Sequence, residues 1–402
     1  MDRQMAAQES REMETTERAT VARYILVSRA GRPMATDVSV QIATEPDREA
    51  GASAAADACM AWFDEVDARL SRFRAESELS QLNAADGQWF SASPMLYGVT
   101  VAALHAARAS EGLFDPTLLP QLEALGYDRD FSQIARRDIS ADANRSIWTP
   151  PIQAWRDIEL DPEGQRIRLP AGARLDLGGI AKGWAADQAL ERYRANFPGA
   201  LINVGGDLRA HGGPQPGTPW SVGIRPLRAE AGAPEPGAAP WAATITLSRG
   251  ALASSGAVRR WWRDGDAVRH HLLDPRSGLP MPIWTGADLE RPDAPARALA
   301  MVTALAPTAE RAEVAAKLAL LRGYAEAARA VESAWARYGA IGPANDLDAS
   351  VALLFTFSDG EIMPSANARA WLATYGSAGA EIPMYVSPAG VEPLPPLAGQ
   401  EA

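Results

Sequence analysis

The chain has 402 residues, 47% hydrophobic and 22% charged, which fits a globular protein with a substantial core. Its net charge of −11, with no basic stretch to offset it, argues against a nucleic-acid partner, so any phosphate-bearing ligand must be held by local donors. The single cysteine, Cys59, excludes an internal disulfide framework and a cysteine-rich metal site; in line with Phe63, Val66 and Leu70 it reads as buried filler.

Residues 1–20 are polar and charged and are expected to be disordered, without the apolar core of a signal peptide or a cysteine for a lipid anchor. No run approaches membrane-spanning length, so the expected location is cytoplasmic. A first strand is expected over 21–28 and a second through the alternating Val38, Val40 and Ile42. Residues 52–73 predict an amphipathic helix, 77–83 a short capped helix and 94–109 another helix, with a turn over 112–117. Residues 126–155 are irregular, and 158–160 with 166–169 predict a hairpin around Pro162-Glu163-Gly164.

Residues 173–175 read as the end of a strand, and helical spacing runs from Ile180 through Trp184, Ala185 and Leu190 to Pro198-Gly199. Between them lies Asp176-Leu177-Gly178-Gly179-Ile180-Ala181-Lys182-Gly183. Glycines at a helix N-terminus let backbone N–H groups approach an anion, Lys182 adds a point charge, and Asp176 accepts hydrogen bonds from ligand donors. A tight turn carrying a solvated lysine is the plainer reading of that stretch taken alone. Further strands are expected over 200–204, 220–224, 241–247 and 299–305, and 258–263 pairs with 268–273. Asn203-Val204-Gly205-Gly206-Asp207 either closes a ligand pocket or simply turns the chain at a strand end. Residues 231–240 form a loop and 308–321 a helix; 351–357 and 361–363 make a hairpin. Strands and helices mix without strict alternation, so an α+β fold is expected. One domain should span 21–382, with an insertion at 324–347 and a proline-rich tail at 383–402.

Met34-Ala35-Thr36, the 70–83 run, Phe114-Asp115-Pro116-Thr117, the 176–183 turn, the 203–207 turn and the His271–Pro280 stretch occur in an order that resembles the FAD:protein FMN transferase family, also called ApbE. The resemblance covers most of residues 34–323. It implies a T-fold-like core with a mixed antiparallel sheet and packed helices. It also implies binding of FAD and Mg2+, cleavage of the pyrophosphate, and transfer of FMN to a threonine or serine of an acceptor protein with release of AMP. The acceptor sequence implied is of the type Asp-(Gly/Ser)-x-(Ser/Thr)-x-(Ser/Thr). Carried over by motif, Met34, Phe73, Leu113, Phe114, Asp115, Asp176, Lys182 and Leu272 would line the FAD site, and the Gly179 carbonyl would face the metal. Apolar and aromatic surfaces suit a flavin or adenine ring, though core packing is the plainer role for Phe73 and Phe114.

Transfer to a hydroxyl needs a base, and His271 matches the family's His-x-x-Asp-Pro stretch, with Asp274 close enough in sequence to orient it. A structural histidine at the mouth of a hairpin, followed by an Asp-Pro-Arg-Ser turn, is the alternative. His270 is expected to face the other side of its strand. The metal helix departs from the family pattern: Glu313 keeps a carboxylate, but Lys317 stands where the family has a threonine ligand, and an ammonium cannot coordinate a metal. Three functions follow from these residues: FMN transfer, FAD binding without turnover, or FAD hydrolysis to FMN and AMP. No Gly-x-Gly-x-x-Gly lies between a strand and a helix, so a Rossmann site is not expected.

Overall fold

Along Val38–Thr44 every second side chain from Val38 to Ile42 is buried, and this alternation makes one face of a strand the floor of the core. The computed structural model describes residues 24–134, 139, 153–227, 241–290, 297–341, 351–366, 368, 385–387 and 390–392. Eight strands form its main sheet: β1 (Ile25–Gly31), β2 (Val38–Thr44), β3 (Gly199–Val204), β4 (Asp207–His211), β5 (Arg249–Gly256), β6 (Leu299–Ala306), β7 (Ala352–Phe357) and β8 (Ile362–Pro364). Their order across the sheet is their order in the chain, and every neighbouring pair is antiparallel.

Three long helices, α1 (Glu49–Leu70), α3 (Ala181–Tyr193) and α4 (Ala309–Ile341), lie against one face of the sheet, and a fourth, α2 (Pro94–Ala109), packs on those helices. On α1, Ala52, Ala55, Ala56, Cys59, Phe63, Val66 and Leu70 recur at helical spacing and are buried, so Cys59 is core as expected. Ser93 and Ser77 cap their helices by accepting from the N–H groups of Leu96 and Ser80. Alternation divides the strands between two cores: Ala251, Ala253, Leu353 and Phe355 face the helices, while Leu252 and Leu354 face the opposite layer. That second layer is the hairpin Trp220–Ile224 with Ala243–Leu247. The mixture of antiparallel sheet and helices is the expected α+β architecture.

Three elements differ from the sequence reading. Strand β5, Arg-Gly-Ala-Leu-Ala-Ser-Ser-Gly, lies mid-sheet although its residues have low strand propensity; small side chains let the alanine-rich face of α4 lie across it. The helix expected over 308–321 runs on to Ile341 through a kink at Gly323, whose φ of 69° lies in the left-handed region. Beyond the kink Ala327, Val331 and Ala334 are buried in the main core, and the Arg337 Nε donates to the Ala109 carbonyl at 2.7 Å. In the expected tail a short hairpin pairs Tyr385–Ser387 with Gly390–Glu392. The loop expected over 231–240, the segment 1–20 and most of 135–152 lie outside the described residues. Among the described residues no helix is long and apolar enough to cross a membrane.

Candidate functional site

The approach to the 176–183 turn is extended but joins no strand. Asn83 takes both backbone groups of Leu175: its Nδ2 donates to the Leu175 carbonyl at 2.9 Å and its Oδ1 accepts from the Leu175 N–H at 2.7 Å. The Asp176 N–H then donates to the Pro116 carbonyl at 2.8 Å, which ties this turn to the Phe114–Thr117 turn. A side-chain amide thus replaces the ladder partner that a strand over 173–175 would have needed.

Asp176 anchors the turn. Its Oδ1 accepts from the Gly178 N–H at 2.6 Å and its Oδ2 binds the Arg72 Nε at 2.9 Å. The Arg72 guanidinium lies 4.2 Å from the Phe73 ring centroid and 4.6 Å from that of Tyr127, and one of its terminal nitrogens, Nη2, is buried without a partner. Tyr127 in turn touches Phe73, Trp262 and the His271 ring, with centroids 5.8, 5.6 and 6.4 Å away. Phe73 is 39% exposed, so this aromatic shelf opens to solvent on one side.

His271 is partly buried, and its Nδ1 has no hydrogen-bond partner. Burial, reinforced by Arg260, His270 and Lys317, holds its pKa well below that of an ordinary histidine, so the ring is neutral near pH 7. His270 differs: both of its ring nitrogens are occupied, Nε2 on the Met281 carbonyl at 2.9 Å and Nδ1 on the Leu272 N–H at 3.3 Å. Asp274 was expected to orient His271, but its carboxylate is engaged by Arg276 at 2.7–3.1 Å, and its carbonyl accepts from the Ser277 and Gly278 N–H groups. In this structure Asp274 closes its own turn.

Behind the 176–183 turn lies a cluster of two ammonium groups and two carboxylates. The Lys182 Nζ is 2.5 Å from both Asp207 Oδ2 and Glu313 Oε1. The Lys317 Nζ is 3.3 Å from Glu313 Oε1 and also bonds the Glu313 carbonyl at 3.3 Å. Glu313 Oε2 accepts from the Gly183 N–H at 2.9 Å. The two helices carrying these residues meet closely: a Cβ on Gly183 would stand 2.5 Å from the Ala309 carbonyl oxygen, and Asp187 of α3 caps α4 by accepting from the Ala309 and Glu310 N–H groups at 2.9 Å. Burial works against the Glu313 carboxylate, yet Lys182 and Lys317 hold it ionised at about 2. Burial also opposes the Lys182 charge, but Asp207 and Glu313 outweigh it and raise that ammonium above its usual range. Lys317 moves the other way, lowered by burial and by Lys182 despite Glu313.

The 203–207 stretch is a turn at a strand end, one of the two readings given for it. Gly205 and Gly206, with φ of 67° and 102°, turn β3 into β4, and Asp207 at the start of β4 reaches Lys182. A Cβ on Gly205 would collide with Thr36 Oγ1, so the Met34–Thr36 turn is seated on it. Met34 and Ala35 hold left-handed backbone at φ of 57° and 53°. Phe114 and Lys317 both lie against Gly179: a Cβ there would meet Phe114 Cε2 and Lys317 Cε at 3.3 Å. Asp115 is buried; Oδ1 accepts from the Thr117 N–H and hydroxyl, while Oδ2 has no partner and burial raises the group's pKa. Leu272 is core. Leu113 points elsewhere, into a cleft of about 360 Å³ that it shares with Arg322, Arg329 and Arg337. A larger cleft of about 520 Å³, between Arg48 and Phe197, contains none of the expected site residues.

The fit to a divalent metal fails on the donors themselves. Both oxygens of Glu313 are engaged, Oε1 by two ammonium groups and Oε2 by a backbone N–H, and a divalent cation on Oε1 would be repelled by the two ammonium groups already there. Among the described residues no group of three or more His, Cys, Asp or Glu side chains could hold a metal ion.

The ApbE family's sequence profile matches residues 34–341, more than half of the chain. The chain belongs to the ApbE family. Relatives named FAD:protein FMN transferase include one from Haemophilus influenzae, 25% identical over 292 residues, covering 72% of this chain and 78% of the relative. Another, from Rhodobacter capsulatus, is 32% identical over 211 residues, covering 52% of this chain and 38% of the relative. Among solved structures the fold is similar to the ApbE protein from Thermotoga maritima, with a TM-score of 0.63, 20% identity and coverage of 87% of this chain and 99% of that one. It is likewise similar to the Pseudomonas stutzeri flavinyl transferase ApbE in its apo form, with a TM-score of 0.61, 20% identity and coverage of 89% and 98%.

Within this ApbE chain, reasoning from the sequence missed Arg72, Tyr127 and Trp262. Arg72 was within reach, as a cation beside the expected flavin residue Phe73; Tyr127 lies in the stretch read as irregular, where no local signal marks it.

Proposed function

We propose that this chain is an FAD:protein FMN transferase. The single observation that supports this most is the contiguity of one surface: His271, whose Nδ1 has no hydrogen-bond partner, adjoins the Tyr127–Phe73–Arg72 shelf, and Arg72 binds Asp176. The shelf suits a flavin ring, the unpaired oxygen of Asp115 and the free nitrogen of Arg72 suit the ligand's polar groups, and the lysines suit its pyrophosphate. FAD enters the reaction as substrate.

In the step proposed, the hydroxyl oxygen of an acceptor threonine or serine attacks the phosphorus of the FMN half. A new P–O bond forms, the bond from that phosphorus to the bridging oxygen breaks, and AMP leaves with that oxygen. The neutral ring of His271 takes the hydroxyl proton. Depressed basicity makes His271 a weaker base than an ordinary histidine but keeps it unprotonated and ready at neutral pH.

The test is incubation with FAD and a peptide carrying an Asp-(Gly/Ser)-x-(Ser/Thr)-x-(Ser/Thr) sequence. A covalently flavinylated peptide and an equal amount of AMP are expected by mass spectrometry and chromatography. Free FMN with an unlabelled peptide would mean hydrolysis, and unchanged bound FAD would mean binding alone; either outcome overturns the transferase reading.

A further inference from the structure

The cluster formed by Lys182, Asp207, Glu313 and Lys317 is closed on itself, two cations against two carboxylates. Three of its features concern Lys317. Its stem lies against the Gly179 backbone, where a Cβ would meet Cε at 3.3 Å, so it fills the space beside the carbonyl-bearing turn. Its Nζ lies 3.3 Å from Glu313 Oε1, the same carboxylate oxygen that holds Lys182, so an ion binding that oxygen would have both ammonium groups as neighbours. And its side chain keeps 19% exposure, close to the 20% of Lys182, so neither lysine side chain is wholly sealed from solvent.

We propose that the Lys317 ammonium, and not a divalent cation, is the counter-charge that this site offers the FAD pyrophosphate, so that the chain binds and uses FAD without metal. This inference rests on the proposed function. An ammonium brings one positive charge where a divalent ion brings two, so the site gives up part of the electrostatic stabilisation of the leaving phosphate. In exchange the charge is covalently fixed. It needs no ion from solution, and a divalent ion drawn to the same carboxylate would meet two ammonium groups at close range.

Three measurements on the full chain test this. Flavin binding, followed by fluorescence, and peptide labelling are compared in a chelator and in excess Mg2+; both are expected to be the same in the two buffers. Mn2+ added to the protein with FAD is expected to remain free by electron paramagnetic resonance, a readout independent of turnover. Lys317→Thr, which removes the ammonium and supplies a hydroxyl, is expected to weaken flavin binding in chelator by about tenfold or more and to recover it when Mg2+ is added. Flavin binding by the native chain that is lost in chelator, or one tightly bound Mn2+ per chain, would overturn the inference and leave the transferase reading standing. Absence of bound flavin in both buffers would overturn the two together. Should Lys317→Thr not fold, the chelator and Mn2+ results on the native chain decide alone.

Discussion

Arg72 binds Asp176 through Nε at 2.9 Å, with the two side chains only 7% and 16% exposed. The pair joins the segment after α1 to the turn before α3, across a hundred residues of chain. Breaking it leaves a carboxylate in a site with little water and should cost about 3 kcal/mol of stability. A double-mutant cycle of Arg72→Met and Asp176→Asn in urea is expected to give a coupling energy above about 1 kcal/mol. Additive effects would show that the contact holds nothing together.

Removing His271 should be felt in turnover before it is felt in binding. His271→Ala is expected to lower the labelling rate by about 10²–10⁴-fold while flavin affinity changes little. The pH profile carries the sign of the shift. With its pKa held well below 6.5, the ring remains neutral as pH falls through 6.5, so labelling should stay level there and decline only in more acidic buffer. A rate already halved at pH 6.5 would mean that the base is an unshifted group.

His270 predicts a separate effect, on stability. Burial lowers its pKa to about 4, against 6.5 in the unfolded chain. Below pH 6.5 the unfolded state binds the extra proton first, so stability is fully present above that pH and declines as pH falls toward 4, by roughly 3 kcal/mol in all. His270→Gln, which keeps a donor for the Met281 carbonyl, should flatten that part of the curve in urea titrations. An unchanged slope would assign the acid sensitivity elsewhere.

Lys182 contacts both buried carboxylates, Asp207 at 5% and Glu313 at 2% exposure. Lys182→Ala should destabilise the fold by about 3–5 kcal/mol, because it strips the buried Asp207 carboxylate of the ammonium at 2.5 Å. Flavin affinity should fall by about tenfold or more in the same variant, measured below its melting temperature. A loss of affinity with unchanged melting would show that Lys182 serves the ligand alone.

Gly183→Ala should cost about 1–3 kcal/mol, since its Cβ would stand 2.5 Å from the Ala309 carbonyl oxygen and force α3 away from α4. Gly51→Ala is the control: it lies in α1 with nothing within 4 Å of its Cβ, and should stabilise by up to about 1 kcal/mol. Thermal melts of the two variants that coincide would refute the steric account.

Residues whose chemistry is local were legible in the sequence, and residues whose role depends on distant partners were not. Val38–Thr44 announces a strand through alternation, and Pro94–Ala109 a helix through its capping serine and spacing. Arg249–Gly256 announces nothing, because what makes it a strand is the helix above it and not its own side chains. The site divides the same way. Glu313 and Lys317 could be read as facing the same way from their spacing of one helical turn, and they do meet. That Lys182 and Asp207 complete the cluster is fixed by β4 and by the close contact of α3 with α4, which no spacing in the chain encodes. Asp274 illustrates the opposite error: proximity in sequence to His271 suggested a partnership, while the nearer Arg276 took its carboxylate.

The sheet pairs only strands that follow one another in the chain, whereas the reactive groups come from the excursions between them. Met34 lies between β1 and β2, Arg72 to Lys182 between β2 and β3, His271 between β5 and β6, and Lys317 between β6 and β7. The scaffold can therefore zip up from neighbour to neighbour, with the reactive surface assembled only as separate excursions converge upon it. Amide hydrogen exchange should register this as a hierarchy, with slow exchange along the sheet and faster exchange in the excursions, and a bound nucleotide should slow the second class selectively.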